Sequence, residues 1–383
     1  MPPAPGPRVV LVTGTGGAGR TTVAAATARA AAADGRRTAL ISADRRAADG
    51  EGFTAVAVDP AATFRAHALG LQSRGASLLD LLGSQPLDED ELTELPGAAD
   101  FALLRALLAT HRDGEHEVLV VDLPPAPDAV RLLALPEQLR RYLTRLLPAE
   151  RQAARALRPV LAQLAGVPMP ARRLYEAAER WHGELAAVQD VLYADGTSAV
   201  LVTEPGPAAA GAVAEARQGL ALLGLPVDAV LANRMLPEVS PDPWLVALQE
   251  EQRRALKELA GTLGPVPLVE LPHLGPPPAG TGALAALGVP PLADPAPRPE
   301  ARVVDRLAED GELVWRLPLP GAVKEELQLV RRGDEVIVTA GPFRRALLLD
   351  AALRRCSVAG ARLADGELSV RFVPDPGLWP DGD

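Results

Sequence analysis

The chain has 383 residues, enough for two or three domains with a large buried core, and carries a net charge of −10 with a pI near 5.2. That acidity, with no basic stripe interleaved with aromatics, excludes nucleic acid as an obligatory partner, and the single cysteine, Cys356, excludes an internal disulfide or a CxxC metal site within one chain. No apolar run reaches about 18 residues free of charge, and no basic stretch precedes a hydrophobic one at the N-terminus, so the expectation is a soluble, cytoplasmic protein that meets a membrane only through another protein.

Val9, Val10, Leu11 and Val12 form the apolar run of a buried parallel strand. It leads into Gly14-Thr15-Gly16-Gly17-Ala18-Gly19-Arg20-Thr21, the G-x-x-x-x-G-K-[ST] pattern with its lysine replaced. An Ala-rich helix from Thr22 to Ala33 follows and ends at Asp34-Gly35, with glycine in the usual position past a helix end. Strand, glycine loop and helix are the context of a phosphate-binding loop. Successive backbone N–H groups turn inward around phosphate oxygens, and the helix N-terminus adds its partial positive charge.

Further apolar runs at residues 38–42, 117–121, 199–203, 229–232 and 267–271 alternate with helical stretches. The expected class is α/β, with a mostly parallel, doubly wound P-loop sheet. Residues 132–195 read as a helical subdomain without a strand, broken at Pro148 and Pro168. Leu143, Leu157, Leu161, Leu174 and Trp181 in it read as core, with a client-binding surface as the alternative. Residues 289–300 are a stiff, proline-rich linker. Beyond it the period becomes two. Leu313, Trp315 and Leu317 share one face, as do Leu368, Val370 and Phe372, and residues 336–338 pair with 327–330 through a turn at Gly333-Asp334. The expected organisation is a P-loop domain over 1–288, the linker, an all-β sandwich over 301–376 and a tail over 377–383. Cys356 reads as a small apolar core residue. The histidines, His67, His111, His116, His182 and His273, show no ligand spacing, and no structural zinc is expected.

In a P-loop, the Thr after the basic residue, here Thr21, offers its hydroxyl to Mg2+. Arg20 keeps the charge of the usual lysine but is planar and bulkier, a loss of fit at the phosphates. Asp44, at the end of the second strand, is the candidate to orient water for hydrolysis, and Asp122 the candidate for Mg2+ or its waters. A strand-end cap is the alternative for each.

These segments together resemble the P-loop ATPase family that includes the arsenite-pump ATPase and the ATPase targeting tail-anchored membrane proteins. The family loop KGGxGKTT falls on Thr15 to Thr22, and its first switch, DPAHS, on Asp44-Arg45-Arg46-Ala47-Ala48. Its second switch, DxAPTGxTLRLL, falls on Asp122 to Leu133 and continues into Glu137. The adenine-side asparagine aligns with Asn233, followed by Arg234, and the later loop with Pro272-His273-Leu274 and Gly280. The likeness spans about residues 8–288. The C-terminal part resembles the small heat-shock protein (α-crystallin) fold, through Leu317-Pro318-Leu319-Pro320-Gly321 and the run from Ala361 to Gly366 and Leu368.

The resemblance implies ATP or ADP with Mg2+, held by Gly14, Thr15, Gly16, Gly17, Ala18, Gly19, Arg20, Thr21 and Thr22, with Asn233 and Pro272 at the base. It implies Asp44 and Arg20 as catalytic residues, and a homodimer or a heterodimer with a related ATPase chain. The departures point to slow hydrolysis coupled to control of a partner or client protein. Thr15 replaces the lysine that reaches a partner's ATP, Arg45 and Ala47 replace the first switch's Pro and His, and Ala126-Pro127 stiffens the second switch. Arg45 or Arg46 is a candidate to supply the charge missing at Thr15. A non-catalytic nucleotide-binding scaffold stays open as the alternative. A small-molecule ligase or kinase is a remote one, because Val12-Thr13-Gly14-Thr15 also begins dethiobiotin-synthase-like loops. No cysteine cluster exists to hold a metalloid, so arsenite is not expected as substrate. With Met1, Met169 and Met235 as its only methionines, the chain lacks the Met-rich lining of a client groove.

Overall fold

The apolar run after Arg8 becomes β1 (Arg8–Gly14), six of whose seven residues are buried. The computed structural model describes residues 6–44, 52–82, 85–146, 170–238, 241–278 and 280–378. β1 is the central strand of a seven-stranded sheet with β2 (Thr38–Ser42), β3 (Thr54–Ala57), β4 (Val118–Asp122), β5 (Thr197–Thr203), β6 (Val227–Met235) and β7 (Leu268–Pro272). The order is β3-β2-β4-β1-β5-β6-β7, and every pairing is parallel. The sheet that sequence analysis expects to be mostly parallel is therefore wholly so. β3 alone among these strands had no apolar run to announce it: it is a four-residue, largely exposed edge.

The helices are α1 (Arg20–Ala33), α2 (Pro60–Leu82), α3 (Ala98–Asp113), α4 (Ala126–Leu146), α5 (Pro170–Tyr193), α6 (Ala209–Leu222), α7 (Pro243–Leu263) and α8 (Gly280–Ala286). Strand side chains alternate, so Val10, Val12, Leu40, Val120 and Val202 turn to one face, against Ala24, Ala25, Ala28 and Ala31 of α1. Val9, Leu11, Ile41, Leu119 and Val121 turn to the other, under α3, α4, α5 and α6. Both faces are covered, as continuous apolar strands require.

Part of the helical region departs from expectation. α4 starts at Ala126 and accommodates Pro136 in its interior, while Pro148, Pro168, Leu157 and Leu161 lie outside the described residues. Trp181 is not core: it is 38% exposed and stacks on Phe101 at 5.7 Å between centroids, because helical spacing marks an apolar stripe without saying how deeply it is covered. Leu143 is half-buried.

The proline-rich segment lacks regular structure, yet it is strapped to the α/β unit. Val289 and Leu292 pack on the α1-side core, Ala296 N–H donates to Asp228 Oδ1 at 2.9 Å, and Arg298 donates to the Ala194 carbonyl at 2.8 Å. After it come β8 (Arg302–Arg306), β9 (Glu312–Pro318), β10 (Leu327–Arg332), β11 (Glu335–Ala340), β12 (Phe343–Leu348), a short α9 (Ala351–Arg354), β13 (Cys356–Ala364) and β14 (Glu367–Pro374). They form two antiparallel sheets, β13-β14-β9-β8 and β10-β11-β12. Leu313, Trp315, Leu317, Leu368, Val370 and Phe372 are all buried, as the period of two requires. Arg332 sits opposite Glu335 across the Gly333-Asp334 turn.

At the carboxyl ends of β1 and β5 the backbones approach so closely that a Cβ on Gly14, at φ 144°, would lie 1.9 Å from the Val202 carbonyl oxygen. Gly14→Ala is therefore expected to lower stability by about 4 kcal/mol or to prevent folding. Gly16→Ala, whose Cβ would meet nothing within 4 Å, should leave the urea midpoint close to the native one. Equal midpoints for the two variants would contradict this packing.

Candidate functional site

The carboxyl end of the sheet gathers the loop after β1, Ser42 and Asp44 from β2, Asp122 from β4, and Asn233 from β6. This is the end at which parallel α/β sheets open their ligand crevices. Gly19 is left-handed at φ 87° and precedes α1, which has no side-chain cap and no acidic residue in its first turn. The first amides of α1 are thus left for an anion. A Cβ on Gly19 would sit 2.5 Å from Asn233 Nδ2, and that amide donates to the Ala18 carbonyl at 2.8 Å. Asn233 braces the loop, while Thr15 N–H donates to the Val202 carbonyl at 2.9 Å.

The β2–β4 register puts Ile41 beside Val121, which brings Ser42 next to Asp122. The hydroxyls of Thr21 and Ser42 each donate to Asp122 Oδ2 at 2.8 Å, and Ser42 Oγ accepts from Asp44 N–H at 3.0 Å. Burial pushes the Asp122 carboxyl above the usual carboxylate range, against the two hydroxyls and the Arg20 charge, which pull it down; the Asp44 charge adds to the rise. Arg20 Nη1 donates to the Leu123 carbonyl at 2.6 Å. Its own pKa is lowered by burial, with the Asp122 charge acting the other way. A hard divalent cation suits this pairing of hydroxyls with a carboxylate. Phosphate suits the amides and the guanidinium.

Gly14 ends β1, and Thr15, Gly16, Gly17, Ala18, Gly19, Arg20, Thr21 and Thr22 lie on the loop and the first turn of α1. Asn233 and Pro272 line an open cavity of about 200 Å³ with Gly19, Thr22, Arg234 and His273. Asp44 is exposed, two residues past β2, and Arg45, Arg46, Ala47 and Ala48 fall outside the described residues. Neither Ser42 nor the Leu123 carbonyl stands out in the sequence; the aligned ends of neighbouring strands are the signal that finds Ser42. Nor does the sequence show the hold on Arg234, which has φ 61° and is fixed by Glu204 at 2.9 Å and by Gln252 Nε2 donating to its carbonyl at 3.0 Å. Among the described residues, no group of three or more His, Cys, Asp or Glu is placed to hold a metal ion, and no helix is long and apolar enough to cross a membrane.

A carboxyl raised above its unfolded value contributes stability below that value and loses it as pH climbs through the folded one. Asp122→Asn keeps an oxygen for the two hydroxyls without the buried charge. Its melting midpoint without nucleotide should exceed the native one by a few degrees at about pH 8, the gap closing near the unfolded value of about 3.9. Scanning calorimetry checks this, and a lower midpoint for the variant at the alkaline end contradicts it.

The family model for the anion-transporting ATPase matches residues 7–288, and that for the HSP20-like domain found in ArsA matches residues 310–372. The chain is 56% identical to Uncharacterized protein SCO2128 of Streptomyces coelicolor over 98% of its own length and 100% of the other. It is 31% identical to Protein Rv2184c of Mycobacterium tuberculosis, covering 97% of each. It is 26% identical to the Aquifex aeolicus protein called "Putative arsenical pump-driving ATPase 1", covering 95% of this chain and 99% of that one.

Proposed function

The chain belongs to the anion-transporting ATPase family, with the HSP20-like domain found in ArsA, and from that premise we propose that it binds ATP or ADP with Mg2+, hydrolyses ATP slowly, and uses nucleotide state to control a partner or client protein. One observation carries the reading: Asp122 Oδ2 takes hydroxyl bonds from Thr21 and Ser42 beside a helix N-terminus that no acidic residue or side-chain cap fills.

In this reading the amides of residues 16–22 and Arg20 hold the phosphates, Asn233 and Pro272 flank the adenine, and Thr21 and Asp122 take the metal and its water shell. Mg2+, when bound, spreads the negative charge of the phosphate oxygens. Asp44 orients a water whose oxygen bonds to the γ-phosphorus while the bond to the ADP oxygen breaks, and the water's proton leaves to the phosphate product. Slowness follows from three residues. Arg20 is a planar fork already committed to the Leu123 carbonyl. Thr15 carries no charge to offer across a dimer, and Pro127 stiffens the second switch. The partner is a second copy of the chain or a related ATPase chain that retains the lysines. Residues 1–288 serve as the ATPase domain, 289–300 as its strap and 301–376 as the sandwich. The buried Cys356 provides no thiolate cluster, so an arsenical substrate is not carried over from the Aquifex relative.

The Arg20–Leu123 bond also favours a second reading, a non-catalytic nucleotide-binding scaffold, since it occupies the guanidinium that phosphate would otherwise engage. Magnesium-dependent phosphate release at saturating ATP separates the two. Arg20→Ala should lower turnover about tenfold or more, a loss of roughly 1.4 kcal/mol in transition-state stabilisation, and Arg20→Lys should raise it. Equal rates in the native chain and Arg20→Ala would leave only the scaffold.

A further inference from the structure

α4 joins the site to the sandwich. It starts four residues after Asp122, and the residues between are pinned to the loop side. Leu123 N–H donates to the Val12 carbonyl at 2.9 Å, Thr13 Oγ1 to the Pro124 carbonyl at 2.7 Å, and Arg20 to the Leu123 carbonyl at 2.6 Å. From there the 21 residues of α4 run about 30 Å.

Val130, Glu137, Arg141 and Arg145 follow at spacings of seven and four, on one stripe of the helix. All four meet the sandwich or what it presses on. Phe343 of β12 and Val130 converge on Gly219 of α6, where an added Cβ would lie 2.7 Å from the Phe343 ring and 2.9 Å from Val130 Cγ2. Arg345 of β12 donates Nε to both carboxylate oxygens of Glu137, at 3.2 and 3.1 Å. Its Nη2 reaches Tyr193 Oη at 2.8 Å and its Nη1 the Leu222 carbonyl at 2.8 Å. The Tyr193 hydroxyl donates to Glu137, and burial raises its pKa, so it stays a donor. Arg141 and Arg145 both reach Glu335 of β11 at 2.7 Å. The Arg345 and Glu137 side chains are only 17% and 25% exposed, so losing one partner strands the other's charge. A single apolar cluster runs from Val121 through Val130 and Leu220 to Val338 and Phe343. A domain merely tethered by a linker needs none of these contacts.

We propose that the β-sandwich positions the second switch: Arg345, acting through Glu137 and α4, sets where residues 122–125 rest and hence how tightly the loop takes nucleotide. This rests on the reading of the loop as a nucleotide site. Linkage then works both ways, because a nucleotide that shifts the seating of β12 must itself be bound more or less tightly by the same factor when that seating is altered. Arg345 is a positioning residue, remote from the phosphates.

The test uses the full chain well below its melting midpoint. Arg345→Ala is expected to change the dissociation constant for ATP with Mg2+ about fivefold or more, within the range of typical coupling. Arg345→Lys, which keeps the charge beside Glu137 without the fork, should recover part of the change, and Glu312→Ala, on the other sheet of the sandwich, should leave it unchanged. An Arg345→Ala chain that melts lower yet binds ATP as the native chain does would overturn the proposal. A second arm needs no ligand and survives a misfolded Arg345 variant. Arg20→Ala frees the Leu123 carbonyl, and amide hydrogen exchange should then quicken over residues 137–146 and 343–348. Exchange changes confined to residues 8–25 and 122–126 would overturn the linkage. If the native chain took no nucleotide, the site reading would fail while this arm still judged the coupling.

Discussion

A carboxylate buried at the end of a parallel strand is costly unless donors and a cation surround it, and Asp122 draws both from separate elements. Thr21 comes from the first turn of α1, Ser42 from β2, and the Arg20 charge from the loop's own end. The β2–β4 register and the packing of α1 on the sheet bring these donors together at the carboxylate. The loop lies close against the sheet because Gly14 and Gly19 can approach Val202 and Asn233 where any side chain would collide. The site is thus a consequence of the sheet's packing rather than an addition to it.

The same carboxylate lies at the root of α4, so the packing that holds it continues outward. Local constraint at Leu123 and Pro124 gives way to a helix, and the helix to a bidentate ion pair and a shared apolar cluster with the sandwich. The links are a loop residue pinned by its carbonyl, a helix that lacks the one backbone bond Pro136 cannot donate, and charges too buried to part without loss. The glycine loop at one end and the seating of the sandwich at the other therefore share a physical connection.

Much of this was legible in the residues, for reasons that differ by element. The strands at 9–12, 38–42 and 199–203 declared themselves because a sheet covered on both faces needs unbroken apolar runs. The sandwich declared itself through alternation, as at Leu313, Trp315 and Leu317. β3 did not, being a short exposed edge without such a run. A lone serine at a strand end carries no signal until the register places it beside Asp122, which is why Ser42 went unseen. At the proline-rich segment, composition carries no sign that Val289 and Leu292 pack against the α1-side core. The docking of the sandwich was hidden for two reasons. Glu137 and Arg345 stand 208 residues apart, and in an arginine-rich chain no single arginine looks informative.

Calorimetric titration of the full chain with ATP and with ADP, each with and without Mg2+, bears most directly on the central claim that this crevice is a working nucleotide site. Both nucleotides should bind, and ATP should gain about tenfold in affinity when Mg2+ is present, since the proposal gives the metal to the Thr21–Asp122 pair. Absence of measurable heat from either nucleotide at millimolar concentration, with or without the metal, would contradict it.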